Sequence, residues 1–179
     1  IKGILFWREY FDGSSKVEQE IRRLGNQLWR DVEWDWFVRE RANGLYMMWH
    51  WSPTIGWSRL PIWGFTECHI AYVLALASPT HPIPLECYRN AWDNGRDANK
   101  PREWFGIPIH TYRDYGPPLF FLHYSYMGLD PREFQMTPDR TYFEEFVNIC
   151  TIQMRYAESR KDDFLGYGPL WGLTASIDP

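Results

Sequence analysis

The sequence predicts an all-α chain built from two alternating kinds of helix, and three observations carry that reading. Residues 15–32 and 141–159 place apolar side chains at helical spacing along one face. Residues 61–78 and 117–128 are apolar on most sides, as expected of a helix enclosed by its neighbours. Two capping boxes, Ser15 with Glu18 and Thr141 with Glu144, mark where the amphipathic helices start, because each pair satisfies free backbone N–H groups. Alternating amphipathic and buried helices suit two concentric layers, with the buried ones forming the inner ring.

Taken in order, residues 1–11 read as the last turns of a helix closed by Asp12 and Gly13. The helix after Ser15 sets Val17, Ile21, Leu24 and Leu28 at steps of four, three and four. Residues 31–37 form a short helical or irregular turn, and Asn43 with Gly44 signals a hairpin. Residues 45–57 (LYMMWHWSPTIGW) alternate too irregularly for a helix, so they are read as a strand or ordered loop. The buried helix from Pro61 is stopped by Pro79 and Pro82, which cannot continue the hydrogen-bond ladder. A shorter helix follows over residues 85–92, then a polar surface excursion over 93–102 and a small hairpin within 107–115. Pro117 opens the second buried helix. In the helix after Thr141, the stripe Phe143, Val147, Cys150, Met154 and Ala157 is read as its apolar face. Residues 166–176 are a glycine-rich turn entering a further helix.

The chain has 179 residues, enough for one domain with a sizeable core. Aromatics make up 18% of it, with eleven Trp; such an excess either fills a core or lines sites that stack on flat ligands, sugar rings among them. Net charge is −4 with scattered basic residues, which argues against nucleic acid or an anionic membrane as partner. Cys68, Cys87 and Cys150 are odd in number and lack CxxC spacing, so neither a disulfide framework nor a structural zinc site is expected. The longest apolar run is too short to span a membrane and carries Glu67 and His69. No signal-peptide pattern is visible, and Ile1 opens inside an apolar helical pattern, as a fragment of a longer protein would.

Glu67 is the residue that most needs a reason. A carboxylate on a buried helix is costly unless it is paired or borders a cavity. One reading pairs it internally with Arg59 or a Tyr hydroxyl; the other makes it a general acid, which requires burial and neighbouring charge to outweigh the helix N-terminus. His123 and Tyr124 lie inside the second buried helix, and Tyr167 and Trp171 lie where a third begins. At the open end of a helical ring all of these could converge on one cavity. Trp49, Trp51 and Trp57, with His50 among them, are either core or a sugar-stacking wall. His81, set between prolines, reads as a structural hydrogen-bonder. Cys68 and His69 point to other helix faces than Glu67, so no metal site is expected there and no cofactor is implied. HExxH, phosphate-loop and GxSxG elements are absent, which disfavours metalloprotease, nucleotide-binding and serine-hydrolase chemistry.

Four motifs in order and spacing, LYMMWHWSPTIGW, LPIWGFTECHIAYVLALASPTHPIP, YGPPLFFLHYSYMGLDPR and GYGPLWGLTAS, resemble the glycoamylase-like family. That family includes the β-1,2-glucanases of glycoside hydrolase family 144, and the resemblance covers nearly the whole chain. It implies an (α/α)6 toroid with a pocket at one end, here a partial one with small hairpin or loop insertions. It also implies endo-acting hydrolysis of β-1,2-linked glucan with inversion, which asks for two carboxyl groups about 6.5–9.5 Å apart. Glu67 matches the family's essential glutamate and inherits the role of general acid. The family's other acidic cluster, spaced Asp-x-x-x-Asp-x-x-Glu, is expected before Ile1, so residues 1–179 read as the C-terminal portion of one toroid. Within the chain, Asp31, Glu33 and Asp35 are the candidates for a second carboxylate. The chain departs from related glucanases at Trp63, Thr66 and Phe65, where Arg, Asn and Trp are common, which alters a subsite beside Glu67. The implied partners are a glucan or oligosaccharide substrate and the missing N-terminal half, without which apolar helix faces would be uncovered. The implied setting is bacterial, periplasmic or secreted. The competing readings are a non-catalytic glucan-binding or degenerate toroid module, and a hydrolase of another β-glucan or oligosaccharide.

Overall fold

The structure is a computed structural model that describes residues 1–93 and 101–172. The described residues are mostly helical, with four small antiparallel hairpins. They divide into two compact units, one of Ile1–Ile62 with Ile70–Ala91, the other of Trp63–His69 with Trp92–Pro179.

In the first unit, α1 (Lys2–Tyr10) packs on α2 (Lys16–Arg30). Ser15 caps α2 by accepting from the Glu18 N–H, as its box predicts. The two helices meet at Gly25, the buried residue of α2, where an added Cβ would lie 3.4 Å from the Arg8 Cβ. The stripe chosen from the sequence takes the other role: Val17, Leu24 and Leu28 are exposed. A glycine offers no hydrophobicity to a periodic pattern, yet it lets helices approach closely, so the contact face carries little apolar signal. A 3-10 turn (Trp34–Phe37) leads into the hairpin β1 (Val38–Arg41) and β2 (Gly44–Met47), as Asn43 and Gly44 predict. The 45–57 stretch continues into a second hairpin, β3 (Trp51–Ser52) with β4 (Gly56–Trp57). The unit closes with α4 (Leu85–Tyr88) and a π-turn (Arg89–Asp93), most of which belongs to it. Its core holds Met47, Met48, Ile62, Tyr72, Ala75, Ile83 and Cys87, and the Tyr72 hydroxyl donates to the Ile62 carbonyl at 2.6 Å.

The predicted buried helix over 61–78 is shorter: α3 spans His69–Leu76. Gly64 takes a left-handed φ of 76°, which bends the chain before the helix starts. Glu67 therefore lies in the turn that precedes α3 rather than inside it.

The second unit contains β5 (Arg102–Trp104), β6 (Ile107–Ile109), α5 (Phe120–His123), β7 (Gln135–Thr137), β8 (Arg140–Thr141) and α6 (Tyr142–Ser159). Three expectations are corrected here. The hairpin predicted within 107–115 instead pairs 107–109 back onto 102–104, through Phe105 and Gly106 at φ 54° and 75°. Two successive positive φ values are the signature of a tight hairpin turn, and a Phe at the first position hides it from sequence. The buried helix over 117–128 reduces to the single turn of α5 and further turns, with His123 and Tyr124 exposed. Finally, α6 begins at its reciprocal Thr141–Glu144 capping box as predicted but buries a different face. Tyr142, Glu145, Phe146, Ile149, Ile152, Gln153 and Ala157 are buried, whereas Phe143, Val147 and Met154 are exposed. The surface excursion lies largely outside the described residues. Where the terminal helix is expected to begin, residues 166–172 form turns with a Tyr167–Leu170 bridge instead, and the rest of that stretch lies outside the described residues. Among the described residues no helix is long and apolar enough to cross a membrane.

Candidate active-site cleft

The segment 63–69 is anchored at both ends by aromatic packing inside the second unit. Phe65 is buried against Trp92, Phe121, Tyr142 and Phe146. His69, fully buried, stacks on Trp92 at 4.2 Å and 6°, and its Nδ1 lies 2.7 Å from the Tyr126 hydroxyl. Trp92 in turn donates Nε1–H to the Tyr142 hydroxyl at 2.8 Å. His69 is thus a structural residue; its ring is fully engaged in packing.

Between these anchors the backbone around Glu67 is tied twice. The buried Ser125 hydroxyl donates to the Glu67 carbonyl at 2.7 Å. The Cys68 N–H donates to Thr66 Oγ1 at 3.2 Å, closing a turn over Glu67. Glu67 itself is half-buried, and its carboxylate makes no ion pair with a described residue. Burial pushes the Cys68 thiol up to about 11, with the neighbouring Glu67 charge adding to the shift. Cys68 is therefore a neutral thiol, and all three cysteines are unpaired.

A cleft of about 510 Å³ opens beside this turn. Residues 63–66 form one wall, 111–114 the other, and Phe121 completes the lining. Trp63 is 51% exposed and presents indole surface to it. Tyr112, Arg113 and Asp114, a phenol-, a guanidinium- and a carboxylate-bearing residue, are among its lining residues. An apolar indole opposite a few charged and polar groups is the composition of a site for a polyhydroxylated ring. The sequence singled out neither Tyr112, Arg113 nor Asp114, which lie far from Glu67 along the chain.

The other predicted site residues fall in several places. In the first unit Trp51 and Trp57 oppose each other across the β3–β4 hairpin. Trp36 joins them, with ring centroids 5.6 Å from Trp51 and 4.3 Å from Trp57. The Arg39 guanidinium lies 4.1 Å over Trp57, covering that ring, while Trp36 and Trp51 remain exposed. Trp36 carried no sequence signal beyond its type. Trp49 and His50 are exposed in the link between the hairpins. His81 pairs with Asp35 at 3.5 Å and takes its N–H to the Ser78 hydroxyl, so both groups have structural partners. In the second unit His123 lines an apolar groove against α6 with Met127, Phe143 and Val147. Tyr124 packs against Phe120, and Tyr167 against Tyr156 and Phe164. Trp171 is exposed. None of the predicted residues is itself a lining residue of the 63–66/111–114 cleft; Glu67 directly follows its wall.

The Glycoamylase family model, described as "Putative glucoamylase", matches residues 59–179. A curated relative from Parabacteroides distasonis, an exo beta-1,2-glucooligosaccharide sophorohydrolase (non-reducing end), is 33% identical over 98% of this chain and 27% of its own length. Among solved structures, an endo-beta-1,2-glucanase from Chitinophaga pinensis, as a sophorotriose and glucose complex, matches with TM-score 0.86 and 36% identity. That match covers 99% of this chain and 43% of the other. A beta-1,2-glucanase from Parabacteroides distasonis matches with TM-score 0.85 and 33% identity, over 99% of this chain and 28% of the other. The chain thus spans between about a quarter and two-fifths of the length of these relatives.

Proposed function

Because the chain belongs to the Glycoamylase family, we propose that it forms part of an (α/α)6-toroid glycoside hydrolase cleaving β-1,2-linked glucan. The observation that carries the proposal is the match of 99% of this chain, at 36% identity, to an endo-beta-1,2-glucanase. The cleft supports it: half-exposed Trp63 and charged residues line it, and Glu67, next in the chain after its wall, makes no ion pair with a described residue.

In this reading the reaction is inverting. Glu67 protonates the leaving glycosidic oxygen while a second carboxylate activates water on the opposite face of the ring. The Ser125 hydroxyl on the Glu67 carbonyl, and the Thr66–Cys68 turn that spans it, fix where the Glu67 side chain starts, which is what a proton donor requires. Trp63 offers an apolar face for the pyranose C–H groups, and Arg113 and Asp114 offer partners for its hydroxyls. Trp49, His50, Trp51 and Trp57, and His123, Tyr124, Tyr167 and Trp171, are the candidate substrate contacts in this reading, chosen by residue type and position along the chain. Trp36 is added to the indole group, and the Arg39 cover makes Trp57 its support rather than a free face. A periplasmic or secreted location belongs to the same reading.

Incubating the full protein with linear glucans of β-1,2, β-1,3 and β-1,4 linkage tests the substrate. Reducing-sugar release from the β-1,2 polymer alone is the expected result; equal release from another linkage would overturn the assignment. The exo-acting relative favours a second reading, in which disaccharides leave from a chain end. Product sizing separates the two: a ladder of oligomers marks endo action, and sophorose alone marks exo action.

A further inference from the structure

Glu145 is a fully buried carboxylate on α6, one turn past the Thr141 cap. Its Oε1 accepts three hydrogen bonds, from the His110 N–H at 2.7 Å, the Thr111 N–H at 2.9 Å and the Thr111 hydroxyl at 3.0 Å. Its Oε2 faces His110 Nδ1 at 3.7 Å and Arg140 Nη1 at 3.5 Å. A buried ionic group is a poor way to gain stability, since apolar residues of the same volume commonly do as well. The Glu145 Oε2 makes no hydrogen bond among the described residues, so the geometric hold of the carboxylate is the three Oε1 bonds, which tie residues 110 and 111 to α6.

Two more α6 side chains hold the same segment. Asn148 donates to the Pro108 carbonyl at 3.0 Å, and Gln153 donates to the Pro117 carbonyl at 2.6 Å. From the other side Arg102 donates to the Arg113 carbonyl at 3.1 Å. Gly116, at φ 108°, lies so close to Ile149 that an added Cβ would sit 2.8 Å from its Cγ2. The whole stretch 108–117 is therefore held against one helix, and it carries residues 111–114, the wall of the cleft that faces Trp63.

We propose that Glu145, which does not line the cleft, is a positioning residue for it: its carboxylate fixes the 111–114 wall so that Tyr112, Arg113 and Asp114 meet the sugar. The proposal rests on the glucan reading above and adds a residue that no substrate contact would reveal. Rigid support behind the groups that touch a ligand governs how well they hold it.

The test combines amide hydrogen exchange with kinetics on β-1,2-glucan, using the full protein. Glu145→Leu is expected to speed exchange at His110 and Thr111 at least tenfold and to raise KM several-fold, with a smaller change in kcat. Glu145→Gln keeps a carbonyl oxygen at the Oε1 position and is expected to restore both. Ile152→Val, a core change on the same helix, is the control for general loosening and is expected to move neither readout. Protected amides and a wild-type KM in Glu145→Leu would overturn the proposal. If that variant does not fold, Thr111→Val deletes one of the three bonds, and a KM rise of twofold or more is expected; an unchanged KM overturns the proposal. A wild-type protein that hydrolyses no glucan would count against the hydrolase reading, and the exchange rates alone would then decide the role of Glu145.

Discussion

Glu67 owes its placement to neighbours rather than to a helix of its own. Ser125 is buried and spends its hydroxyl on the Glu67 carbonyl, so Ser125→Ala leaves that carbonyl without its side-chain donor. The expected loss is about 1 kcal/mol of stability, read from the urea midpoint. A fall in turnover of the full protein is expected with it, because the turn that aims Glu67 loosens. Glu67 stands out in the sequence because a carboxylate in a long apolar run has few explanations, and its catalytic role remains part of the proposed function. Arg113 and Asp114 were not, because nothing local distinguishes them from any polar loop. Their place in the cleft is decided by Glu145, Asn148 and Gln153, all contributed by a distant helix. Trp36 went unnoticed for the same reason: its partners Trp51 and Trp57 arrive through hairpin pairing.

At the scale of elements, both helix starts were read correctly, with the reciprocal box present at Thr141 and only the Ser15 half of it at α2, and the buried faces were not. The Thr141–Glu144 box is present in both directions, with the Thr141 N–H donating to Glu144 at 2.7 Å and the Glu144 N–H to Thr141 Oγ1 at 3.3 Å. Thr141→Ala is expected to cost about 1 kcal/mol at neutral pH. Hydrogen bonds from the Thr141 backbone N–H and then its hydroxyl hold the Glu144 carboxyl below its ordinary pKa. A depressed carboxyl stabilises the fold above its unfolded pKa, and that contribution is lost as pH falls through the folded value. The gap between wild type and Thr141→Ala in urea midpoint should therefore narrow from pH 7 to pH 3. The face of α6 was misjudged because apolar residues lie on both sides of it; periodicity gives a helix and its phase, and only tertiary contacts choose the buried side. In α2 the contact residue is Gly25, whose missing side chain no hydrophobic pattern can report. An alanine there meets Arg8 and Ile4 at ordinary contact distance, so Gly25→Ala is expected to raise stability by up to about 1 kcal/mol in thermal melts. Gly116→Ala, crowded at positive φ, is expected to lower it.

At the scale of the molecule, the first unit leaves Phe6, Trp7, Tyr10, Val17, Leu24 and Leu28 exposed on its first two helices. Apolar area of that kind seldom stays bare in solution. The 179-residue chain alone is expected to associate and to bind a hydrophobic dye. Leu24→Glu with Leu28→Glu should reduce both, as read by light scattering and dye fluorescence. Family membership and the mostly helical architecture were legible because four long motifs keep their order along the chain. The ring itself was read from that resemblance, and it enters here as part of the proposed function.

Turnover of linear β-1,2-glucan by the full protein carrying Glu67→Gln is the most direct measurement. The amide keeps the shape of the side chain and cannot donate the proton, so kcat should fall by about 10²–10⁴-fold while oligosaccharide binding persists. Wild-type kcat in that variant would remove Glu67 from the chemistry, and with it the reason given for a carboxylate beside the cleft.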